Sequence, residues 1–251
     1  MELNYEEHKP AGFISQFVQC FWMYENRSET TKHTILPHGY FEIVAEFSNG
    51  KIGKITQSGI WTQPVNVVIP RGSLILGIRF KLTATEYIFQ HPISDIRDQL
   101  TSLPFDFWGF DQYGNADFTN FVKQVSKHLL KQLRNFPLQA IDQRKLKLFK
   151  LIYLNKFESV EQLAVQIGWS RRQINRYFNQ QFGFPLKEYL KIIRCSSAYK
   201  YISKGELFPP VNYFDQSHFI KDIKHYTGKT PRQLYHNKDG RFLQLLTQQQ
   251  N

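Results

Sequence analysis

Phe214-Asp215-Gln216-Ser217-His218-Phe219, closed at Gly228-Lys229-Thr230-Pro231, is the stretch that decides the fold of the C-terminal half. Asp215 is a short acceptor placed to cap a helix, Phe219 begins an inward face, and Gly228 supplies the left-handed residue that ends a helix. The same layout occurs 45 residues upstream. Trp169 corresponds to Phe214, Ser170 to Asp215, Ile174 to Phe219, Arg176 to Lys221, Phe178 to Ile223 and Gly183 to Gly228. A repeated helix opener and closer predicts two copies of one helical unit.

The charge distribution places a polyanion beside these copies. Residues 1–136 hold 13 Lys+Arg and 13 Asp+Glu, whereas residues 137–251 hold 19 Lys+Arg and 8 Asp+Glu, an excess equal to the whole formal charge of +11. A solvated basic face is the competing reading of charge alone. At 251 residues the chain can bury two cores. Cys20 and Cys195 fall in different halves, which predicts neither a disulfide framework nor a zinc cluster and fits a reducing compartment. The acidic start Met1–Glu7 lacks the basic-then-apolar order of a signal peptide, and no apolar run approaches the roughly 20 residues of a bilayer span. The expectation is a cytoplasmic protein with no membrane partner.

From Phe13 to about Leu82 the chain reads as short strands. Phe17–Tyr24, Phe41–Phe47, Val65–Ile69 and Leu74–Phe80 are rich in aromatic and β-branched residues, and Ser48-Asn49-Gly50-Lys51 is a turn signal. The expected fold is α+β with two domains. A β-rich sandwich or barrel-like sensor domain covers 1–112, a connecting helix and linker 113–137, an all-α double helix-turn-helix domain 138–236, and a tail 237–251. In the connecting helix, opened by Asp117, residues Phe118, Phe121, Val122, Val125, Leu129 and Leu133 share one face. That face is either a strut on its own domain or a dimerisation surface. In the tail, Phe242 and Leu245 are expected to dock on the domain, ahead of a disordered end.

In the first helical unit, Ser159 with Gln162 and Ser170 with Gln173 form capping-box patterns, and Trp169 and Ile174 have the spacing of a hydrophobic staple. Ile174, Tyr177 and Phe178 then face inward and Arg171, Arg172, Asn175 and Arg176 outward. Arginine matches guanine edges and asparagine adenine edges in the major groove. An ordinary polar helix face would look similar in isolation; the repeat, the caps and the local charge together favour DNA. Leu186, Tyr189, Leu190, Ile193, Ser197 and Ile202 give a long amphipathic helix that would hold the units apart.

Residues 159–235 resemble the AraC-type DNA-binding domain of bacterial transcription regulators, with Asp215-Gln216-Ser217-His218-Phe219, Gly228 and Pro231 as the signature of its second unit. The resemblance implies two recognition helices in successive major-groove segments about one helical turn apart. It implies contacts from Arg171, Arg172, Asn175 and Arg176 in the first unit, and from Gln216, Ser217, His218 and Lys221 in the second. Double-stranded DNA is the implied partner, with RNA polymerase and a second copy of the chain as further ones. One departure concerns Lys204–Tyr213, the counterpart of the leading helix Ser159–Gly168. It contains Pro209-Pro210, and proline in a helix interior costs about 3 kcal/mol or more. A shortened second unit is therefore expected, docking less rigidly, with most discrimination in the first.

Residues 13–110 resemble, through Phe21-Trp22, Leu36–Glu42, Gly59 and Gly77–Phe80, a domain of unassigned function found ahead of AraC-type modules. The resemblance implies a site for a small-molecule effector. Trp22, His38, Tyr40, Glu42, Trp61 and Arg79 are its candidate residues, with core and turn roles as the plainer reading. Glu42 and Arg79 lie within apolar strands and, if buried, should pair. A purely dimerising or partner-recruiting domain is the alternative. Catalysis is not expected: no phosphate-binding loop, Ser-His-Asp layout or paired carboxylates stand out, and the two separated cysteines do not suit a fused DNA-repair methyltransferase. No cofactor is expected. Neither His218 with His225 nor His33 with His38 completes a metal site.

Overall fold

The computed structural model describes residues 4–114, 117–137, 140–157, 159–208, 213, 215–236 and 242. Eight strands make up the N-terminal half: β1 Asn4–His8, β2 Val18–Glu25, β3 Thr31–Ile35, β4 Phe41–Ser48, β5 Lys51–Ser58, β6 Val65–Ile69, β7 Ser73–Phe80 and β8 Leu100–Leu103. They form a six-stranded sheet in the order β1-β2-β7-β4-β5-β8 and a two-stranded sheet β3-β6. Among the described residues every strand pairing within these sheets is antiparallel. The β4–β5 turn forms as expected, with both Asn49 and Gly50 at positive φ, the backbone that a tight two-residue hairpin requires.

Alternation along the strands separates two faces. Phe21, Met23, Ile43, Ala45, Leu76, Ile78 and Phe80 point into the main core. Cys20, Trp22, Tyr24, Glu42, Val44, Gly77 and Arg79 lie on the opposite face, where Tyr5, Trp22, Val44 and Val67 pack around a small cluster of Tyr24, Ile69 and Ile75. Helix α1, Phe118–Arg134, opens on the Asp117 side chain and packs Phe121 edge-on to Phe21 at 6.1 Å between centroids. Its apolar stripe is the strut of the two expected alternatives: Phe118, Phe121, Val122, Val125 and Leu129 are all buried in its own core.

Seven further helices follow: α2 Gln143–Tyr153, α3 Val160–Ile167, α4 Arg171–Phe182, α5 Leu186–Ser197, α6 Tyr199–Ile202, α7 Gln216–Thr227 and α8 Pro231–His236. Their buried residues join those of the sheet in one continuous core. Residues 204–208 form turns and bends rather than a leading helix for the second unit, while Pro209-Pro210 and Phe214 lie outside the described residues. Phe242 is buried, and pairs with Thr34 of β3, so it docks on the N-terminal half; Leu245 lies outside the described residues. No described helix is long and apolar enough to cross a membrane.

Candidate nucleic-acid interface and sensor site

The repeat read from the sequence is a repeat of structure. Helices α4 and α7 have 12 residues each and begin 45 apart. Ser170 forms a complete capping box: its Oγ accepts the Gln173 N–H at 3.2 Å, and the Gln173 side chain accepts the Ser170 N–H at 2.7 Å. Asp215 accepts the His218 N–H at 2.8 Å. Gly183 and Gly228 close the helices at φ of +82° and +70°. Ile174 and Phe178 in α4, and Phe219 and Ile223 in α7, are fully buried at matching positions. One face of each helix is thereby fixed inward and the other outward.

On the outward face of α4, Arg171, Arg172 and Arg176 are exposed. Arg171 also reaches Glu161 of α3 at 2.5 Å, a surface pair of small worth. Asn175 is different. Its side-chain oxygen accepts the Leu186 N–H at 3.3 Å, which caps the start of α5, so this residue carries a structural hydrogen bond that sequence spacing does not reveal. Trp169 packs edge-on to Tyr177 and carries Arg144 over its ring. On α7, Gln216, Ser217 and Lys221 are exposed. His218 is half-exposed, with its ring edge-on to Tyr213 and its Nε2 3.6 Å from Asp222.

Helix α5 holds both units. It is tied to α4 by the Asn175 cap and to α7 by Arg194 to Asp222 at 3.0 Å and by the Tyr226 hydroxyl donating to Glu188 at 2.7 Å. Asp222 is buried, so its pairing with Arg194 answers a desolvation cost. The support that a leading helix would give α7 thus comes from α5. A reciprocal capping box of Thr230 and Gln233, unremarked in the sequence, opens α8 behind it.

The N-terminal candidates gather around Arg79. Strand register sets Arg79 opposite Glu42 on one side and Cys20 on the other. Its Nε donates to Glu42 at 2.6 Å, and Nη1 lies 3.7 Å from the Cys20 sulfur. The two side chains are 19% and 8% exposed, so the expected buried pair is present. Glu42 raises the Arg79 pKa further although burial opposes it, and burial pushes the Cys20 thiol up to about 12. His38 is buried 3.8 Å from Glu42; burial first, and then Arg79, hold it well below the usual imidazole range. Its ring stacks on Tyr40. Trp22 lies across Gly77, where an added Cβ would sit 2.1 Å from the indole, so only glycine admits the ring. Trp61 is buried past the end of β5 and takes part in none of these contacts. Among the described residues no cluster of three or more His, Cys, Asp or Glu could hold a metal.

The same strand ends form the contact with the helical half. The Leu82 N–H donates to the Tyr153 hydroxyl at 2.7 Å, and the Tyr189 hydroxyl lies 3.0 Å from both the Tyr153 hydroxyl and the Gly39 carbonyl. A carbonyl can only accept and Tyr189 has one proton, so Tyr153 must donate to Tyr189. The result is a directed chain from the end of β7, through two tyrosines, to the approach to β4. Tyr199 donates to the Pro37 carbonyl at 2.9 Å, and Tyr40 stacks on Tyr153. Further along, both oxygens of Glu86 are engaged, by Lys145 at 2.6 Å and by Tyr177 at 2.7 Å. Ile93 N–H and Arg97 take the carbonyls of Gln181 and Gly183 at the end of α4, at 2.9 and 2.5 Å. No sequence signal marked these tyrosines, because an apolar stripe does not say which surface covers it.

Two family matches fit this geometry: a domain of unknown function (DUF6597) over residues 6–102 and a helix-turn-helix domain over residues 163–237. No curated protein matches the sequence. Among solved structures, ToxT from Vibrio cholerae O395 is similar at 11% identity and a TM-score of 0.44, covering 86% of this chain and 96% of that one. Unsaturated fatty acid bound ToxT from strain SCE256 gives 10%, a TM-score of 0.42, and 86% and 99% coverage. Likenesses at this level say nothing of ligand or mechanism. The chain thus carries a helix-turn-helix domain of the AraC type over residues 163–237, behind a domain of unknown function over residues 6–102.

Proposed function

We propose that this regulator reads DNA sequence with both units and that an effector bound at the Arg79 face governs the reading. The observation that carries the proposal is the continuity between that face and the back of α4. Arg79 is the penultimate residue of β7, and the chain runs on from it into Leu82, Glu86, Ile93 and Arg97, whose contacts hold Tyr153, Tyr177 and the last carbonyls of α4. His38 and Glu42 flank Gly39 and Tyr40, which meet Tyr189 and Tyr153. A ligand that moved either strand end would act on the packed side of α4 while leaving Arg171, Arg172 and Arg176 exposed.

In this reading Arg172 and Arg176 address base edges, Arg171 and Lys221 serve bases or phosphates, and Gln216, Ser217 and His218 open the second contact. Asn175 contributes by fixing α5. The test is selection of bound fragments from a random DNA pool with wild type and an Arg172→Ala/Arg176→Ala variant. The expected result is a motif of two half-elements about one turn apart, one of them weakened by the variant. A wild-type pool without enrichment, and with affinity falling steeply in salt, would refute sequence reading.

A further inference from the structure

The buried face around Arg79 is short of acceptors. His38 Nδ1 accepts the Tyr40 N–H at 3.2 Å, so the neutral ring carries its proton on Nε2. That Nε2 and the Trp22 Nε1 are both buried and have no hydrogen-bond partner among the described residues. Arg79 spends Nε on Glu42 and meets only the cysteine sulfur with Nη1. Three donor groups thus share the face, and an unmade hydrogen bond in a buried place is costly. The charges, by contrast, are already balanced: Glu42 pairs with Arg79, Glu7 on the same face accepts from Tyr5 and lies 3.6 Å from Lys9, and His38 is neutral. A charged ligand would add an uncompensated buried charge. Beside Trp22 the face continues as an apolar and aromatic cluster of Tyr5, Tyr24, Val44, Val67, Ile69 and Ile75.

We propose that this face binds an uncharged small molecule with an apolar body and a carbonyl oxygen, the oxygen accepting from Trp22 Nε1–H, His38 Nε2–H or the Arg79 terminal nitrogens. The inference rests on the reading of this face as the effector site. It is tested on the full chain labelled with ¹⁵N-tryptophan, the Trp22 indole resonance being assigned with Trp22→Phe and, should that variant not fold, by elimination with single variants of Trp61, Trp108 and Trp169. The probes are benzamide and cyclohexanone as neutral carbonyls, benzoate as an anion and benzylamine as a cation. The expected result is a saturable downfield shift of the Trp22 N–H with the neutral carbonyls, their dissociation constants rising about fivefold or more in His38→Phe. A shift with benzoate or benzylamine alone would overturn the ligand class and leave the site standing. No shift with any probe would overturn both.

Discussion

Replacing Tyr189 by Phe removes one oxygen from the centre of the contact between the halves. In the native protein that hydroxyl donates to the Gly39 carbonyl and accepts from Tyr153, all within 3.0 Å. Phenylalanine keeps the ring and its packing on Phe178 and Phe184, so the change isolates the hydroxyl. A buried group left without its partner costs about 1–3 kcal/mol. The Gly39 carbonyl loses its donor, and the Tyr153 proton loses its acceptor, while Tyr153 keeps the Leu82 N–H. The two losses share one site and do not add fully, so the expected loss is about 2–4 kcal/mol. Urea unfolding followed by tryptophan fluorescence and far-ultraviolet circular dichroism measures it. Tyr201→Phe is the control, since its hydroxyl makes no hydrogen bond among the described residues, and should stay within about 0.5 kcal/mol of wild type. A Tyr189→Phe protein equally close to wild type would refute the reasoning.

Four further outcomes follow from the same geometry. Arg79→Met strands the buried Glu42 carboxylate and should cost about 3–5 kcal/mol in chemical unfolding, most of it recovered in Arg79→Met/Glu42→Gln. His38, whose pKa is lowered on folding, binds its proton more readily in the unfolded chain; stability should be full above about pH 6.5 and fall as the pH drops below it, with a shallower slope in His38→Gln. Asn175→Ala should lower stability by about 1 kcal/mol through the lost α5 cap. Arg172→Ala should leave stability within about 0.5 kcal/mol and weaken binding to a selected duplex by about 1–3 kcal/mol.

Local chemistry made much of the helical half legible. Ser170, Asp215, Gly183 and Gly228 act on their own turns, and their spacing survives unchanged as two helices of equal length. The Glu42–Arg79 pair was legible because two opposite charges in apolar strands have few ways to be buried. Asn175 was read by its type as a base contact, whereas its oxygen is spent on a backbone 11 residues away. Trp61 belongs with the sensor residues by residue type alone, whereas it is buried beyond the end of β5, outside the contacts of Arg79, Glu42 and His38. The docking tyrosines were hidden for the reason that makes them effective: Tyr189 and Tyr199 reach Gly39 and Pro37 across separations of 150 and 162 residues, which periodicity cannot report.

The measurement that bears most directly on control of the reading helix is the affinity of Glu86→Gln for a selected duplex, taken at a temperature where circular dichroism shows variant and wild type equally folded. Glu86 lies on the far side of α4 from the exposed arginines and holds Tyr177 and Lys145. The account expects affinity to fall about fivefold or more, a coupling of about 1 kcal/mol, with the salt dependence unchanged because no phosphate contact is lost. An affinity equal to wild type would show that the N-terminal half holds α4 without governing what it reads.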